Sequence, residues 1–405
     1  MIRRYLVWQH RWLGLILALF VSILGITGAL LAYRIPLEHL INPQLFAKAP
    51  PSAQPLDLAR LAEAAERAEP HARAAYFSYD TPGFAMIAMS PRTDPSTGKP
   101  YVLDFEHVFL DPYTGRELGK RMDGDLSQGK INVVPFIYSL HAMLAWPAVG
   151  GTILGYVAIA WTVDCFVGFY LTLPTGLPSF VRRWKPAWLI KWRAGPGRLT
   201  FDLHRAGGLW LWPLLFMFAW SGVMLVNFAF YERITRSLFD YESEFTFAIE
   251  YKGHPEEAPK LGWRAAQKRG QELGAAMARE RGLKVIRPFG MAYMPYNGVY
   301  DYNFVTDRDF RVHGWGTSVW FDGDTGKLIK QWMVSGEHTG NTLSNWLWAL
   351  HYGDVFESRS YRFVVFLAGL AMPVVSFAGI LVWWRRRRIR KTATQPGPDR
   401  SPTAA

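Results

Sequence analysis

Four histidines occupy matching places in the two halves of the chain. His10 and His204 each begin the pattern His-Arg-x-x-Gly, and a hydroxyl residue followed by glycine stands seventeen residues after each of them. His141 and His351 lie 26 and 25 residues after the glycine of a second shared pattern, Asp-x-x-Thr-Gly. An apolar run lies beside each of the four. The spacing therefore predicts an internal duplication with two pairs of equivalent histidines.

Paired imidazoles at helix ends are typical of haem sites. Imidazole binds haem iron in both oxidation states, and two axial imidazoles give a low-spin centre suited to electron transfer. The equivalent positions predict the pairs His10 with His204 and His141 with His351, with His338 as a spare ligand. The glycines expected to admit a flat porphyrin are Gly14, Gly25, Gly28, Gly207, Gly208 and Gly222. Headgroup contacts for the histidines and helix packing for the glycines are the alternatives.

Three further polar residues lie in or beside the apolar runs. Arg11 and Arg205 follow the first histidine of each half, and they are either anchors on the cytoplasmic side or partners for haem propionates. Asp164 lies inside an apolar run, where a carboxylate is costly and usually functional. A proton relay and a structural pairing with serine, tryptophan or backbone both remain open for Asp164.

Composition places the chain among membrane proteins. Half of the 405 residues are hydrophobic and 18 are tryptophan, a residue favoured at membrane interfaces. The net charge of +12 does not indicate nucleic-acid binding, because much of the basic excess lies beside apolar runs. Cys165 is the single cysteine, which excludes intrachain disulfides, cysteine-based zinc sites and thiolate-held iron–sulfur clusters.

Four apolar runs are long enough to cross a bilayer, which takes about 20 residues. They are Leu13–Tyr33, Val149–Leu173, Leu209–Phe230 and Phe363–Trp384. Basic residues cluster before the first run, between the second and third, and after the fourth, so these segments are predicted to be cytoplasmic. We predict a four-pass protein of the bacterial inner membrane, with both termini in the cytoplasm and two segments in the periplasm.

Each periplasmic segment is predicted to be a small α+β domain. Amphipathic helices are predicted at Asp57–Pro70 and Gly262–Gly282, and a β-hairpin at each Asp-x-x-Thr-Gly turn. Continuous helices of about 50 Å are predicted from His141 to Pro174 and from His351 to Trp384. The predicted division is N-terminus and transmembrane helix 1 (1–34), periplasmic domain 1 (35–130), transmembrane helix 2 (131–176), basic cytoplasmic loop (177–200), transmembrane helix 3 (201–230), periplasmic domain 2 (231–340), transmembrane helix 4 with a preceding helical segment (341–385) and disordered cytoplasmic tail (386–405).

The chain resembles the PepSY-associated transmembrane family of bacterial inner-membrane proteins, and most of all the branch that contains ferric-siderophore reductases. The resemblance rests on "HRWLGLILALFVSILGITGALL", "HRAGGLWLWPLLFMFAWSGVML", the two Asp-x-x-Thr-Gly hairpins and "LHYGDVFESRSYRFVVFLAGLAMPVVSFAGILVWWRRR". It implies two PepSY-type periplasmic domains on four membrane helices. For the reductase branch it also implies two b-type haems held by membrane-helix histidines. Asp164 and Cys165 depart from the family pattern.

The expected function is a membrane haem reductase. Electrons from a cytoplasmic donor or from membrane quinol would reduce ferric iron in a siderophore complex at the periplasmic domains. The sequence shows no nucleotide-binding motif, so the donor is expected to be a separate molecule. A docking surface or a sheet core would explain the aromatic residues Tyr296, Tyr300, Tyr302, Trp315 and Trp320. A non-enzymatic PepSY module that binds a periplasmic partner, and a siderophore permease acting as a homodimer, are the alternative functions.

Overall fold

A computed structural model describes residues 1–176, 178–242, 251–311, 316–356 and 358–393. Its contacts divide the chain into two compact units. The helical unit comprises Met1–Ala29, Ala148–Asn227 and the described residues from Val364 onward. The α+β unit comprises Leu30–Pro147 and the described part of Phe228–Phe363.

The described residues form the following helices and strands. The helices are α1 (Ile2–Ala32), α2 (Arg34–Ile41), α3 (Leu58–Ala68), α4 (Val133–Met143), α5 (Gly150–Thr172), α6 (Phe180–Trp184), α7 (Pro196–Val226), α8 (Phe228–Leu238), α9 (Trp263–Glu280), α10 (Thr339–Tyr352) and α11 (Arg359–Ala393). The strands are β1 (Ala72–Thr81), β2 (Phe84–Pro91), β3 (His107–Leu110), β4 (Glu117–Arg121), β5 (Val285–Met294), β6 (Val299–Thr306), β7 (Thr317–Asp322) and β8 (Leu328–Trp332).

The helical unit is built from helices that are long and apolar enough to span a membrane. Among the described residues there are four of these, α1, α5, α7 and the Arg359–Arg388 part of α11. They overlap the four apolar runs of the sequence, so the prediction of four helices that are apolar and long enough to span a membrane is confirmed. The third run is predicted to reach Phe230, whereas α7 ends at Val226. On α1 and α11, Gly25 and Gly369 touch so closely that a Cβ on either would lie 2.6 Å from the carbonyl oxygen of the other. Small residues of this kind allow membrane helices to pack with their backbones in contact.

The two long continuous helices predicted from the sequence are wrong. α4 ends at Met143, Leu144 and Ala145 have φ of 56° and 52°, and α5 begins at Gly150. The intervening Pro147 supplies no backbone N–H and disfavours helical geometry in the residue before it. In the same way α10 ends at Tyr352, followed by a left-handed Gly353 cap, and α11 begins at Arg359. The length of about 50 Å therefore applies to neither segment.

The predicted tail also needs correction. The sequence predicts disorder from residue 386 onward, whereas α11 continues to Ala393. The rest of the predicted tail, residues 394–405, lies outside the described residues.

The α+β unit contains one antiparallel sheet of eight strands in the order β4-β3-β2-β1-β5-β6-β7-β8. Each half of the chain contributes four strands, and the halves join where β1 pairs with β5. Helices α3 and α9, one from each half, pack into one hydrophobic core, in which Phe77 meets Trp263 edge to face at 5.3 Å. The prediction of two separate α+β domains is therefore corrected to one α+β unit. The pairing of β1 with β5 covers an edge strand that each four-stranded half of the sheet would otherwise expose.

The predicted local elements of this unit are confirmed. α3 and α9 are the two predicted amphipathic helices, and the Asp57 side chain caps α3 by accepting from the backbone N–H of Arg60 at 2.8 Å. β3–β4 and β7–β8 are the two predicted hairpins. Gly115 and Gly326 in the turns of these hairpins have φ of 74° and 66°. Residues with a side chain rarely adopt this backbone conformation, whereas glycine adopts it readily.

Asp301 is an unusual residue of the sheet because its carboxyl group is completely buried in β6. Neither of its oxygens has a hydrogen-bond partner of normal geometry among the described residues. Burial raises the pKa of Asp301 to about 7, and the nearby side chains of Asn303 and Ser318 oppose this rise only in part. In an unfolded chain the pKa would be about 3.9. The contribution of Asp301 to the free energy of unfolding is therefore greatest below about pH 4, and it falls as the pH rises towards 7.

We expect Asp301→Asn to flatten the pH dependence of unfolding. Between pH 5 and pH 8 the unmodified protein should lose about 2.5 kcal/mol of stability through this one group, and the variant should not. Denaturant unfolding of the full chain in detergent, followed by tryptophan fluorescence, measures this difference. Asp104→Asn, at an exposed position, is the control. An equal pH slope in the Asp301 variant and the unmodified protein would contradict the prediction.

Candidate functional site

His10 and His204 lie side by side in the helical unit. His10 is on α1 and His204 is on α7, and their ring centroids are 6.0 Å apart. An imidazole nitrogen binds a metal at about 2.0 Å, so two rings on opposite sides of one ion have nitrogens about 4 Å apart and centroids about 6 Å apart. The observed separation therefore suits one metal ion between the two rings.

The Nδ1 atom of each of these rings has a hydrogen-bond partner on another helix. His10 Nδ1 is 3.0 Å from both carboxylate oxygens of Asp164 on α5, and His204 Nδ1 is 3.0 Å from the carbonyl oxygen of Val375 on α11. Carbonyl and carboxylate oxygens accept, so each histidine donates from Nδ1 and keeps the lone pair on Nε2. Histidines that bind metals commonly have such a partner on their second nitrogen.

A cavity of about 350 Å³ borders both rings. This volume lies within the range of roughly 300–1,000 Å³ that is usual for ligand sites. Gly14 and Gly208 line the cavity four residues after His10 and His204, and a Cβ at either glycine would have no neighbour within 4 Å. One helical turn separates each histidine from its glycine, so the open space lies on the histidine face of both helices.

The other glycines predicted to admit a porphyrin are not among the residues that line this cavity. A Cβ on Gly25 would meet α11, one on Gly207 would meet Val375 at 3.2 Å, and one on Gly222 would meet Ala158 at 3.5 Å. Gly28 lies on α1 and is not one of the residues that line the cavity. For Gly25, Gly207 and Gly222 the alternative, helix packing, is what the contacts show.

Of the residues that the structure describes, three arginines line the cavity: Arg11, Arg205 and Arg386. Arg205 donates to Asp202 at 2.9 Å and to the carbonyl oxygen of Pro186 at 2.7 Å, and its guanidinium lies 5.0 Å from the Phe201 ring. The Arg386 guanidinium lies 5.9 Å from the same ring. A cavity with apolar walls and cationic groups suits a flat apolar ligand that carries carboxylates. Arg386 was missed because its run of arginines signals membrane orientation in the sequence.

Among the described residues, Asp164 has none of the three kinds of partner expected for a structural pairing, namely serine, tryptophan or backbone. It accepts from the His10 ring and, at 3.4 Å, from Gln9 Nε2. This contact joins residues 154 positions apart, so local sequence patterns carry no signal for it. The structure places Asp164 behind a candidate ligand.

His141 and His351 form the second pair, within the α+β unit. His141 is on α4 and His351 is on α10, with ring centroids 6.1 Å apart and planes at 68°. Burial and the neighbouring His141 lower the pKa of His351 to about 3, so its imidazole is neutral, which is the form that binds metals. Next to His351, the Tyr352 ring stacks on the Trp348 ring at 4.0 Å. The Arg311 guanidinium lies 4.5 Å from the same Trp348 ring.

Two further groups with ligand-type side chains are engaged in ion pairs. His338, the predicted spare ligand, is the residue just before α10. Its Nδ1 lies 2.8 Å from Oδ2 of Asp240. Glu106, His107 and Asp123 are close enough together for a cation, but Arg121 already binds Asp123 at 2.9 Å. Both groups are therefore read as electrostatic contacts of the α+β unit.

The aromatic residues considered for substrate docking separate into two groups. Tyr300 and Tyr302 are buried in the core under α3 and α9, as the alternative interpretation holds. Tyr296 is exposed and stacks on Tyr251 at 5.4 Å, and Trp320 is partly buried. Trp315 lies outside the described residues.

Within the described residues, four helices apolar enough to span a membrane, an α+β unit and two pairs of neighbouring histidines indicate a membrane protein. A family model described as the PepSY-associated TM region matches residues 7–386. The chain therefore belongs to the family of proteins with a PepSY-associated TM region. In a comparison with curated proteins, no relative matches the chain.

Proposed function

We propose that the protein is a membrane di-haem reductase that transfers electrons to ferric iron in a siderophore complex. The observation that carries the proposal is the pairing of the four histidines. Two pairs, one in each unit, have ring centroids 6.0 and 6.1 Å apart. One such contact has many explanations, but a second one, again between histidines at equivalent positions in the two halves of the chain, favours one shared role. Within the proposal, the two halves derive from an internal duplication.

His10 and His204 would hold one haem b, and His141 and His351 would hold the other. For the first pair, the Nδ1 partners turn both Nε2 lone pairs away from Asp164 and Val375. Arg11, Arg205 and Arg386 offer cationic partners for the propionates. Haem held by these histidines would supply a one-electron carrier, suited to electron transfer rather than oxygen binding.

The chain's own residues would hold the cofactor and exclude water around it. The cavity beside His10 is lined mainly by apolar side chains of four membrane helices. Such walls make the charges of the lining arginines more effective than they would be in water.

The proposed overall reaction moves one electron from a donor to the iron of the substrate. Fe(III) becomes Fe(II), and the donor, a cytoplasmic reductant or a membrane quinol, loses that electron. A quinol releases two electrons and two protons, so one quinol would serve two ferric complexes. Hard oxygen ligands hold Fe(II) less firmly than Fe(III), so the siderophore would release its metal.

The proposed location is the bacterial inner membrane, with the α+β unit in the periplasm. The basic residues between α5 and α7 support this orientation, since Arg182, Arg183 and Lys185 are exposed and the segment 174–201 contains no acidic residue. The α+β unit would then meet ferric complexes that enter the periplasm.

The reductase function is tested by mixing the reduced protein with a ferric complex. Purified, haem-loaded protein is reduced, freed of excess reductant and mixed in a stopped-flow instrument with a ferric trihydroxamate. We expect the reduced spectrum to decay while a ferrous chelator traps a matching amount of Fe(II). The gallium(III) complex, which has similar shape and charge but is not reduced, is the control. A haem-containing protein that stays reduced with both complexes would contradict the reductase function and leave haem binding intact.

A further inference from the structure

We propose that Asp164 is a positioning residue that fixes the orientation of the His10 ring. It would also make His10 a more basic ligand for the haem iron than His204. This inference rests on the proposed haem-binding function of that pair. It concerns a residue that departs from the family pattern of the sequence, and it assigns Asp164 a role other than a proton relay.

The geometry directs the carboxylate of Asp164 at one atom. Its two oxygens are both 3.0 Å from His10 Nδ1, so the N–H points between them. Gln9, next to His10 on α1, donates to one of these oxygens and helps to hold the carboxylate in place. Asp164 is 8% exposed, and no lysine or arginine in the described parts of the chain forms an ion pair with it. Its negative charge therefore acts mainly on the His10 ring.

The two histidines of the pair are consequently unequal. The partner of His204 is a neutral carbonyl oxygen, that of Val375, whereas the partner of His10 carries a full charge. A carboxylate attracts the Nδ1 proton more strongly than a carbonyl does, and this raises the basicity of the nitrogen on the other side of the ring. A more basic ligand and a nearby negative charge both stabilise the ferric state relative to the ferrous state. Asp164 should thus lower the midpoint potential of this haem.

Asp164→Asn tests the inference, because the amide oxygen can still accept from Nδ1 while the charge is removed. The full-length variant is purified with haem, and each midpoint potential is measured by optical redox titration. We expect the midpoint of one haem to rise by about 59 mV, a tenfold change in its reduction equilibrium, while the other is unchanged. The low-spin ferric signal of the same haem should shift in its electron paramagnetic resonance spectrum.

Two further variants separate a charge effect from packing. Thr162→Val changes a buried residue of α5 two positions away that is not among the residues lining the cavity, and it should leave both potentials unchanged. Asp164→Glu keeps the charge and should return the potential towards that of the unmodified protein.

Each outcome of this series decides the inference. A haem-loaded Asp164→Asn protein with both potentials and both resonance signals unchanged would overturn it. If the Asn variant loses one haem, retention of that haem in Asp164→Glu supports the inference and equal loss in both variants contradicts it. An unmodified protein that binds no haem would instead contradict the proposed function.

Discussion

Haem content is expected to fall from about two per chain to about one when His204 is replaced by alanine. His204 supplies one of the two imidazoles beside the cavity, and its Nδ1 lies 3.0 Å from the carbonyl oxygen of Val375 on α11. Without it, only His10 remains to bind the iron, and a single ligand would leave the other axial position open. The measurement is haem per chain in the purified variant, together with its reduced spectrum.

The same experiment tests the pairing. His10→Ala should remove the same spectral component as His204→Ala, whereas His141→Ala and His351→Ala should both remove the other component. His254→Ala, on an exposed loop, is the matched control and should retain full content. Full haem content in the His204 variant would contradict the assignment, and so would loss of the same component from His10→Ala and His141→Ala.

Gly379→Ala is expected to abolish binding at the His10–His204 pair without changing any ligand. A Cβ at this position on α11 would lie 2.8 Å from Cε1 and 2.9 Å from Nδ1 of His204, closer than side chains normally approach. The ring cannot move aside and also keep its hydrogen bond to Val375, one helical turn before Gly379. The expected result is about one haem per chain, with the spectral component assigned to His141 and His351 retained.

The control for this variant is another glycine in an apolar helix. A Cβ at Gly151 on α5 would meet nothing within 4 Å, so Gly151→Ala should keep full haem content. If Gly379→Ala kept both haems with unchanged spectra, the prediction that the added methyl group displaces the His204 ring would be contradicted.

The sequence contains enough information to predict the individual elements and the histidine pairs. Apolar runs of sufficient length determine the four membrane helices, and turn residues determine the hairpins, because both depend on short segments of chain. The pairing of His10 with His204 follows from their equivalent positions in a repeated pattern. In each case the signal is local or repeated, and the structure places the residues accordingly.

Long-range contacts explain most of what the sequence does not reveal. The pairing of β1 with β5, which merges two predicted domains into one sheet, joins strands about 200 residues apart and has no local signature. The partners of the histidines are of the same kind, since Asp164 and Val375 come from other helices. The break after α4 is different, because Pro147 is visible in the sequence and the apolar run conceals its effect.

The central claim is that the chain binds haem through two histidine pairs. The most direct measurement is the visible spectrum of the unmodified protein, purified in detergent from haem-replete cells, in its oxidised and dithionite-reduced forms, with haem quantified per chain. Sharp reduced α-bands from about two low-spin haems per chain are the predicted result. A colourless protein that stays colourless after haem is added would contradict the claim and favour a non-enzymatic membrane module.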